Sequence, residues 1–347
     1  MRGVKGLIVF VVVFGLWRTI DSARRQLAEQ QQSIRSQIAV IDQNLQGAAN
    51  DQDRRQLQEE RERLLLQQPS IASVDRWRIA IAAVIYLVSL FPTAIFFHQT
   101  LTHMGQRPRL AASVRAHVLG HMGKYVPGKA MVVILRTGAI AGPDVRPGVA
   151  MVAAFIETLL MMAVGGTLAG LLVMALDFPL EITLPALGLA ICTAIPTIPA
   201  VFRILVRRVA GSRLGRDKGL DDAVINWGLM AIGWGWMLLT WVLVGSAFAL
   251  IVQASPGAMI EPFTWRDSAL CIASISLAMV AGFLSLLPGG AGARELVITT
   301  LLAPRFGIVP GLVAAILARV VFLFVEVTIG GLLWLKRPPR APVSETD

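Results

Sequence analysis

Apolar runs broken by short charged or Pro-Gly stretches set the layout of this chain. Residues 7–20 form the first, short run. Longer runs follow at 77–97, 148–176, 182–202, 224–252 and 307–335. A membrane-crossing helix needs about 20 consecutive apolar residues, so the five longer runs predict spans. The first predicts a shorter one, extended by Arg18 snorkelling to the interface. Pro185, Pro196 and Pro199 loosen the run at 182–202. Between the first two runs the pattern changes. Residues 21–75 are polar, with Leu27, Ile34 and Ile41 at intervals of seven and Ile38 and Leu45 between them. That is a coiled-coil-like seam. Gly47 to Asp51 predicts a turn, with Asp51 capping the next helix, and Leu57 and Leu64 resume the seam. The expectation is a helical hairpin standing off the membrane, its first arm about 40 Å long at roughly 1.5 Å per residue.

Two further stretches are apolar but interrupted. Residues 107–146 hold nine Lys, Arg and His residues and the string Gly123-Lys124-Tyr125-Val126-Pro127-Gly128-Lys129, with Arg136 downstream. Residues 268–304 hold Leu286-Leu287-Pro288-Gly289-Gly290-Ala291-Gly292-Ala293-Arg294-Glu295. A broken helix in lipid leaves backbone groups unpaired, which is tolerated only inside protein or beside a water-filled cavity. Charge then decides the topology. The basic stretches 107–146 and 203–222 and the C-terminus belong on the cytoplasmic side, and 177–181 and 254–267 outside. This is consistent if 110–141 and 268–304 are re-entrant hairpins; full crossing at both breaks is the alternative, which the charge rule disfavours. The predicted fold is all-α and polytopic: about six full spans, two opposed re-entrant hairpins in an inverted repeat, and an extramembrane N-terminal helical hairpin. The units are a signal-anchor helix (1–20), the hairpin (21–76), the transmembrane domain (77–335) and a basic cytoplasmic tail (336–347). No small-x-small cleavage pattern follows residues 6–16, so the anchor is expected to stay uncleaved.

Composition narrows the function. Of 347 residues, 55% are hydrophobic and 16% charged, too apolar for an ordinary soluble domain. The net charge of +10 falls between or beside apolar runs, so it orients the chain and attracts anionic lipid rather than nucleic acid. Cys192 and Cys271 sit singly in apolar runs and form no disulfide or metal framework. His117 and His121 are four apart, with His98 and His103 nearby, but no third ligand stands at motif spacing, so no metal is assigned. No P-loop, Gly-x-Ser-x-Gly or metalloprotease helix is present, and no cofactor or catalytic residue is assigned.

The repeat extends beyond the breaks. Pro147-Gly148 opens one span with Glu157 ten residues on, and Pro310-Gly311 opens another with Arg319 nine residues on. Three spans separate the two hairpins, so the units are inverted, the build of secondary transporters. The candidate site is Lys124, Pro127, Gly128, Lys129, Arg136 and Glu157 from the first unit, with Pro288, Gly289, Gly290, Arg294, Glu295, Arg319 and Glu326 from the second. A charge at the bilayer centre costs at least about 2.5–3.5 kcal/mol on insertion scales, so such residues are paired or face a cavity. Arg319 and Glu326 share a helix face and are candidates for an internal salt bridge. Half-helix N-termini with Lys and Arg suit a phosphate-like anion.

The two Pro-Gly strings and Phe155-Ile156-Glu157-Thr158 resemble the flippase-like membrane family related to the transmembrane domain of lysylphosphatidylglycerol synthase. The resemblance covers roughly 77–335 and implies movement of aminoacylated phosphatidylglycerol, or of other lipids, between leaflets. The basic residues beside the breaks point to an anionic head group, so the expected partner is an anionic phospholipid or a polyprenyl-phosphate-linked lipid, and the expected setting a bacterial inner membrane. The synthase's aminoacyl-transferase domain has no counterpart in 336–347, and the 21–76 hairpin departs from the family's short loop. The alternatives are an intramembrane transferase acting on a lipid-linked substrate, and a scaffold that presents the hairpin to an envelope partner or to a second copy.

Overall fold

The computed structural model describes residue 25 and residues 28–29, 31–47, 50–66, 74–125, 130–176, 178–210, 225–255, 262–285, 290 and 292–335. The expected first span at 7–20 and the tail at 336–347 lie outside these residues, as do Pro127, Gly128, Lys129, Pro288 and Gly289.

The chain is an all-α polytopic membrane protein. Its described helices are α1 (31–47), α2 (Asp51–Leu66), α3 (Arg76–His103), α4 (Leu110–His121), α5 (Ala130–Ile140), α6 (Pro147–Ala175), α7 (Leu180–Ala194), α8 (Pro199–Ala210), α9 (Trp227–Ala254), α10 (Trp265–Leu284), α11 (Ala293–Phe306) and α12 (Ile308–Leu335). Short 3-10 turns follow α4 (Met122–Tyr125) and α7 (Ile195–Thr197). Among the described residues six helices are long and apolar enough to cross a membrane: α3, α6, α7 with its 3-10 turn, α9, α10 and α12. The basic stretch expected as a loop from residue 203 remains helical to Ala210, because α8 restarts at Pro199, where proline needs no N–H partner.

Antiparallel packing sets the faces. The Asp75 N–H donates to the Ala254 carbonyl at 3.3 Å, and Arg78 donates to the Gln253 carbonyl at 3.1 Å. Near the other end, Trp236 Nε1 donates to the Gln99 side chain at 2.9 Å. The start of α3 therefore lies beside the end of α9, on what we term the second face, and α3 ends on the first.

Both hairpins close at their mouths. At the first face, the Arg107 N–H donates to the Asp144 carbonyl at 3.2 Å and the Arg146 N–H to the Gln106 side chain at 2.8 Å. The residue before α4 is thus tied to the segment after α5. At the second face, Arg305 near the end of α11 donates to Asp267 at the start of α10 at 2.8 Å, and to the Pro262 carbonyl at 3.2 Å. Asp267 also caps α10 through Thr264. Helices α6, α7 and α9 lie between the hairpins, so the hairpins enter from opposite faces. They differ in depth. Helices α4, α5 and α11 have 12, 11 and 14 residues, too short to cross, whereas α10 with 20 is long enough.

Small residues bring the long helices together. A Cβ on Gly165 would meet the Trp241 ring, whose Nε1 donates to the Met161 carbonyl at 3.0 Å, and a Cβ on Gly245 would meet Ile272. Such close approach is how helices associate where lipid removes the hydrophobic drive.

The N-terminal hairpin forms with α1 and α2 as its arms, joined by Arg61 donating to Asp42 at 2.7 Å. Asn50, not Asp51, caps α2: its side chain accepts from the Asp53 N–H at 2.7 Å. Asp51 instead takes a first-turn position, where a carboxylate suits the helix dipole. The seam has a partner within the chain. Ile34 and Ile38 are buried against Val309 and Val313 of α12, with Leu64 and Leu317 alongside. Helix α12 is 28 residues long, about 42 Å at roughly 1.5 Å per residue, longer than a hydrocarbon core of about 30 Å. Its first turns supply the surface that receives the hairpin.

Candidate functional site

Described residues that flank the turns of the two hairpins meet the long helices at a cavity of about 550 Å³. That is within the usual range of ligand sites, about 300–1,000 Å³. Lys124 and Arg136 reach it from the first hairpin, Gly290 and Arg294 from the second, and Glu157 from α6. Tyr86, Ser89 and Thr93 of α3 and His121 of α4 complete the polar side. Leu159, Met161 and Met162 of α6, Val244 of α9 and Phe283 of α10 supply an apolar wall. A second depression, between Asn44, Asp53 and Glu60 on the N-terminal hairpin, lies away from these charges.

Among the described residues, three ion pairs organise the charges at and behind the cavity. Arg136 donates to Glu157, with 2% of each side chain exposed. The Arg136 guanidinium also lies over the Phe97 ring at 5.3 Å, and Thr158 donates to Glu157 at 3.2 Å. Lys124 donates to Glu326 at 2.5 Å, and the Tyr86 hydroxyl donates to the same carboxylate. Tyr86 is held by stacking on Phe322 at 3.8 Å. Arg319 donates to Glu295 at 2.6 Å. Glu295 also accepts the Gly292 N–H at 2.7 Å, so it fixes the start of α11. Arg319 and Glu326 share a helix but bind different partners, so the salt bridge expected between them is replaced by one link to each hairpin tip.

The inverted repeat is visible in these bonds. In each unit the second arm of the hairpin is tied to the next long helix by an ion pair. In the first unit Arg136 of α5 meets Glu157 of α6; in the second Glu295 of α11 meets Arg319 of α12. The bond is repeated with its charges exchanged. A glycine of each first arm also lies under an arginine of the second. A Cβ on Gly120 would lie 3.0 Å from Arg136 Nε, and one on Gly282 would lie 2.7 Å from Arg294 Nε. The second crossing is tighter still. Gly290 has φ +68, and a Cβ there would fall 2.7 Å from Gly282 Cα. Only glycine meets both demands without strain. Arg294 acts electrostatically on Lys124 and Tyr86, so the cations of the two hairpins share one field.

Of the residues expected from sequence, Lys124, Arg136, Glu157, Gly290 and Arg294 line the cavity, and Glu326 joins it through Lys124 and Tyr86. Glu295 and Arg319 pair with each other behind the second tip. Tyr86, Thr93, His117 and His121 were not expected. His117 is fully buried, and its Nε2 lies 2.9 Å from Thr93 Oγ1 and 3.0 Å from His121 Nε2. The four-residue spacing of the histidines is the signal that marks one helix face; nothing in it reveals that this face turns inward. Among the described residues no group of three His, Cys, Asp or Glu side chains is placed to hold a metal ion.

The molecule is thus a polytopic helical membrane protein with a charged cavity between two opposed hairpins. Compared with known proteins, the chain matches no family model and no curated sequence.

Proposed function

We propose that this protein binds an anionic lipid head group in the cavity and carries it between leaflets. The observation that supports this most is the pairing of opposites in one space. Lys124, Arg136 and Arg294 converge from both hairpins on the polar side, and Leu, Met, Val and Phe side chains form the other wall. A phosphate would compete with Glu157 and Glu326 for the cations, while acyl chains would lie against the apolar wall. Entry of the hairpins from opposite faces gives such a site a route to each leaflet. The likeness of the Pro-Gly strings to the flippase-like family agrees with this reading. So does the charge pattern, which favours the cytoplasm for the first face and the outside for the N-terminal hairpin; a bacterial inner membrane is the setting we propose. Among the described residues, the cavity holds no arrangement specific to group transfer. The scaffold reading has less support, because α12 already covers Ile34 and Ile38.

The test is leaflet accessibility of fluorescent phosphatidylglycerol in proteoliposomes. Wild type is expected to expose inner-leaflet lipid to external quencher. Arg294→Ala, and Gly282→Ala, which displaces the same side chain, are expected to slow this at least about tenfold, the cost of roughly 1.4 kcal/mol from one lost charge-assisted contact. Equal rates for all three proteins would refute the reading.

A further inference from the structure

The buried histidines connect two carboxylates that the ion pairs otherwise keep apart. His117 Nδ1 lies 4.0 Å from Glu157, and His121 Nδ1 lies 3.9 Å from Glu326. Between them the two Nε2 atoms are 3.0 Å apart. Neither Nδ1 makes a hydrogen bond, although both atoms are buried. The row therefore runs Glu157, His117, His121, Glu326, with one short link in the middle and a gap near 4 Å at each end. The Thr93 hydroxyl donates to the Leu90 carbonyl at 3.1 Å, which leaves its oxygen to accept from His117 Nε2. With that assignment His117 carries its proton on Nε2, shared between Thr93 Oγ1 and His121 Nε2, and His121 carries its own on Nδ1, facing Glu326.

The geometry points to a proton path: His117 and His121 pass one proton at a time between Glu157 and Glu326. A proton leaves the Glu157 carboxyl for His117 Nδ1. The His117 Nε2 proton moves to His121 Nε2, and the His121 Nδ1 proton moves to the Glu326 carboxylate. One proton enters the row and one leaves it. Both rings end neutral with their tautomers exchanged, and the total charge is unchanged. Each end gap must close by about 1 Å to reach hydrogen-bonding distance. Chains of Glu and His inside a membrane protein are the usual material of proton relays.

The charges around the row give the transfer a consequence. Facing His117 are Thr93 of α3, Arg136 of α5, Glu157 of α6 and His121. Facing His121 are Lys124, Arg136 and Glu326 of α12. With the proton on Glu157, Arg136 loses its counter-charge while Lys124 stays paired. With the proton on Glu326, the Lys124–Glu326 ion pair is neutralised, the Tyr86 hydroxyl faces a neutral carboxyl, and Arg136 is paired again. Resting on the lipid-carrying reading above, the proton's position selects which ion pair, Arg136–Glu157 or Lys124–Glu326, is weakened where the head group binds. A proton gradient then biases the direction of lipid movement.

The experiment uses full-length protein in vesicles of phosphatidylcholine with a minor share of fluorescent phosphatidylglycerol and a trapped pH dye. Valinomycin and potassium hold the membrane potential at zero. Wild type is expected to dissipate an imposed pH gradient faster than empty vesicles, and His117→Gln and His121→Gln to slow that at least about tenfold. His98→Gln, which alters only the contact of His98 with Ser113, is expected to match wild type. A wild-type rate equal to that of empty vesicles overturns the path, whether or not the variants fold; so do Gln variants as fast as wild type. Lipid movement without proton flux removes the path and leaves the lipid reading standing. Proton flux without lipid movement leaves the path and removes that reading.

Discussion

Arg136→Ala is expected to destabilise the protein by about 3–5 kcal/mol, the usual cost of leaving a buried charge without its partner. Glu157 is 1% exposed, and the arginine that balances it is 2% exposed. Removing the guanidinium leaves the buried carboxylate without its counter-charge. It also removes the stack on Phe97 and opens a void against Gly120. The paired change Arg136→Met with Glu157→Leu is expected to recover most of the loss, since an apolar pair of similar size has no charge to strand. Unfolding in detergent, followed by a tryptophan or thermal signal, measures both. If the single change costs no more than a surface substitution, this ion pair does not hold α5 to α6.

The second large effect is at Gly123. A Cβ there would stand 2.6 Å from the Val132 backbone nitrogen and 2.7 Å from its Cα. No rotamer relieves a clash with main chain, so Gly123→Ala must spread the arms of the first hairpin. Overpacking of this kind costs about 1–3 kcal/mol, and more where the backbone must move. Lys124 and Arg136 stand on the two arms, so the geometry of the cations is lost as well. Gly138→Ala on α5 is the contrast, because nothing lies within 4 Å of its Cβ position. There the change is expected to stabilise by roughly 0.5–1 kcal/mol, the helical preference for alanine over glycine. The same unfolding assay separates the two; equal behaviour would show that the crossing at Gly123 is loose.

These effects show what the sequence could and could not reveal. The long helices were legible because lipid demands unbroken apolar length, and α3, α6, α9 and α12 satisfy it with no more than two Asp, Glu, Lys or Arg residues each. The hairpins were legible because Pro-Gly breaks and loop charge admit few topologies. The mouth bonds of Arg107 with Asp144 and Arg305 with Asp267 then tie each pair of ends together. Partner choice was not legible. Periodicity places Arg319 and Glu326 on one face, but it does not tell which neighbouring helix that face meets, and each meets a different hairpin tip. Tyr86 was hidden in an apolar run because a single hydroxyl leaves no period. The histidines were hidden for a related reason. A pair four apart looks the same on an interfacial face as on an inward one, and only the fold turns it toward Glu157 and Glu326. The seam of the N-terminal hairpin was read from its heptads. Its partner was not, because Val309, Val313 and Leu317 were already accounted for as part of a span.

The most direct test of the central claim is the lipid that leaves the membrane with the protein. Native mass spectrometry of protein gently extracted in mild detergent, compared with the bulk lipid of the same membrane, reads the occupant of the cavity. Wild type is expected to carry an enriched anionic lipid, and Arg294→Ala to carry it at the bulk proportion. An identical lipid profile in both proteins, matching the bulk membrane, would contradict the claim that the cavity between the hairpins holds an anionic head group.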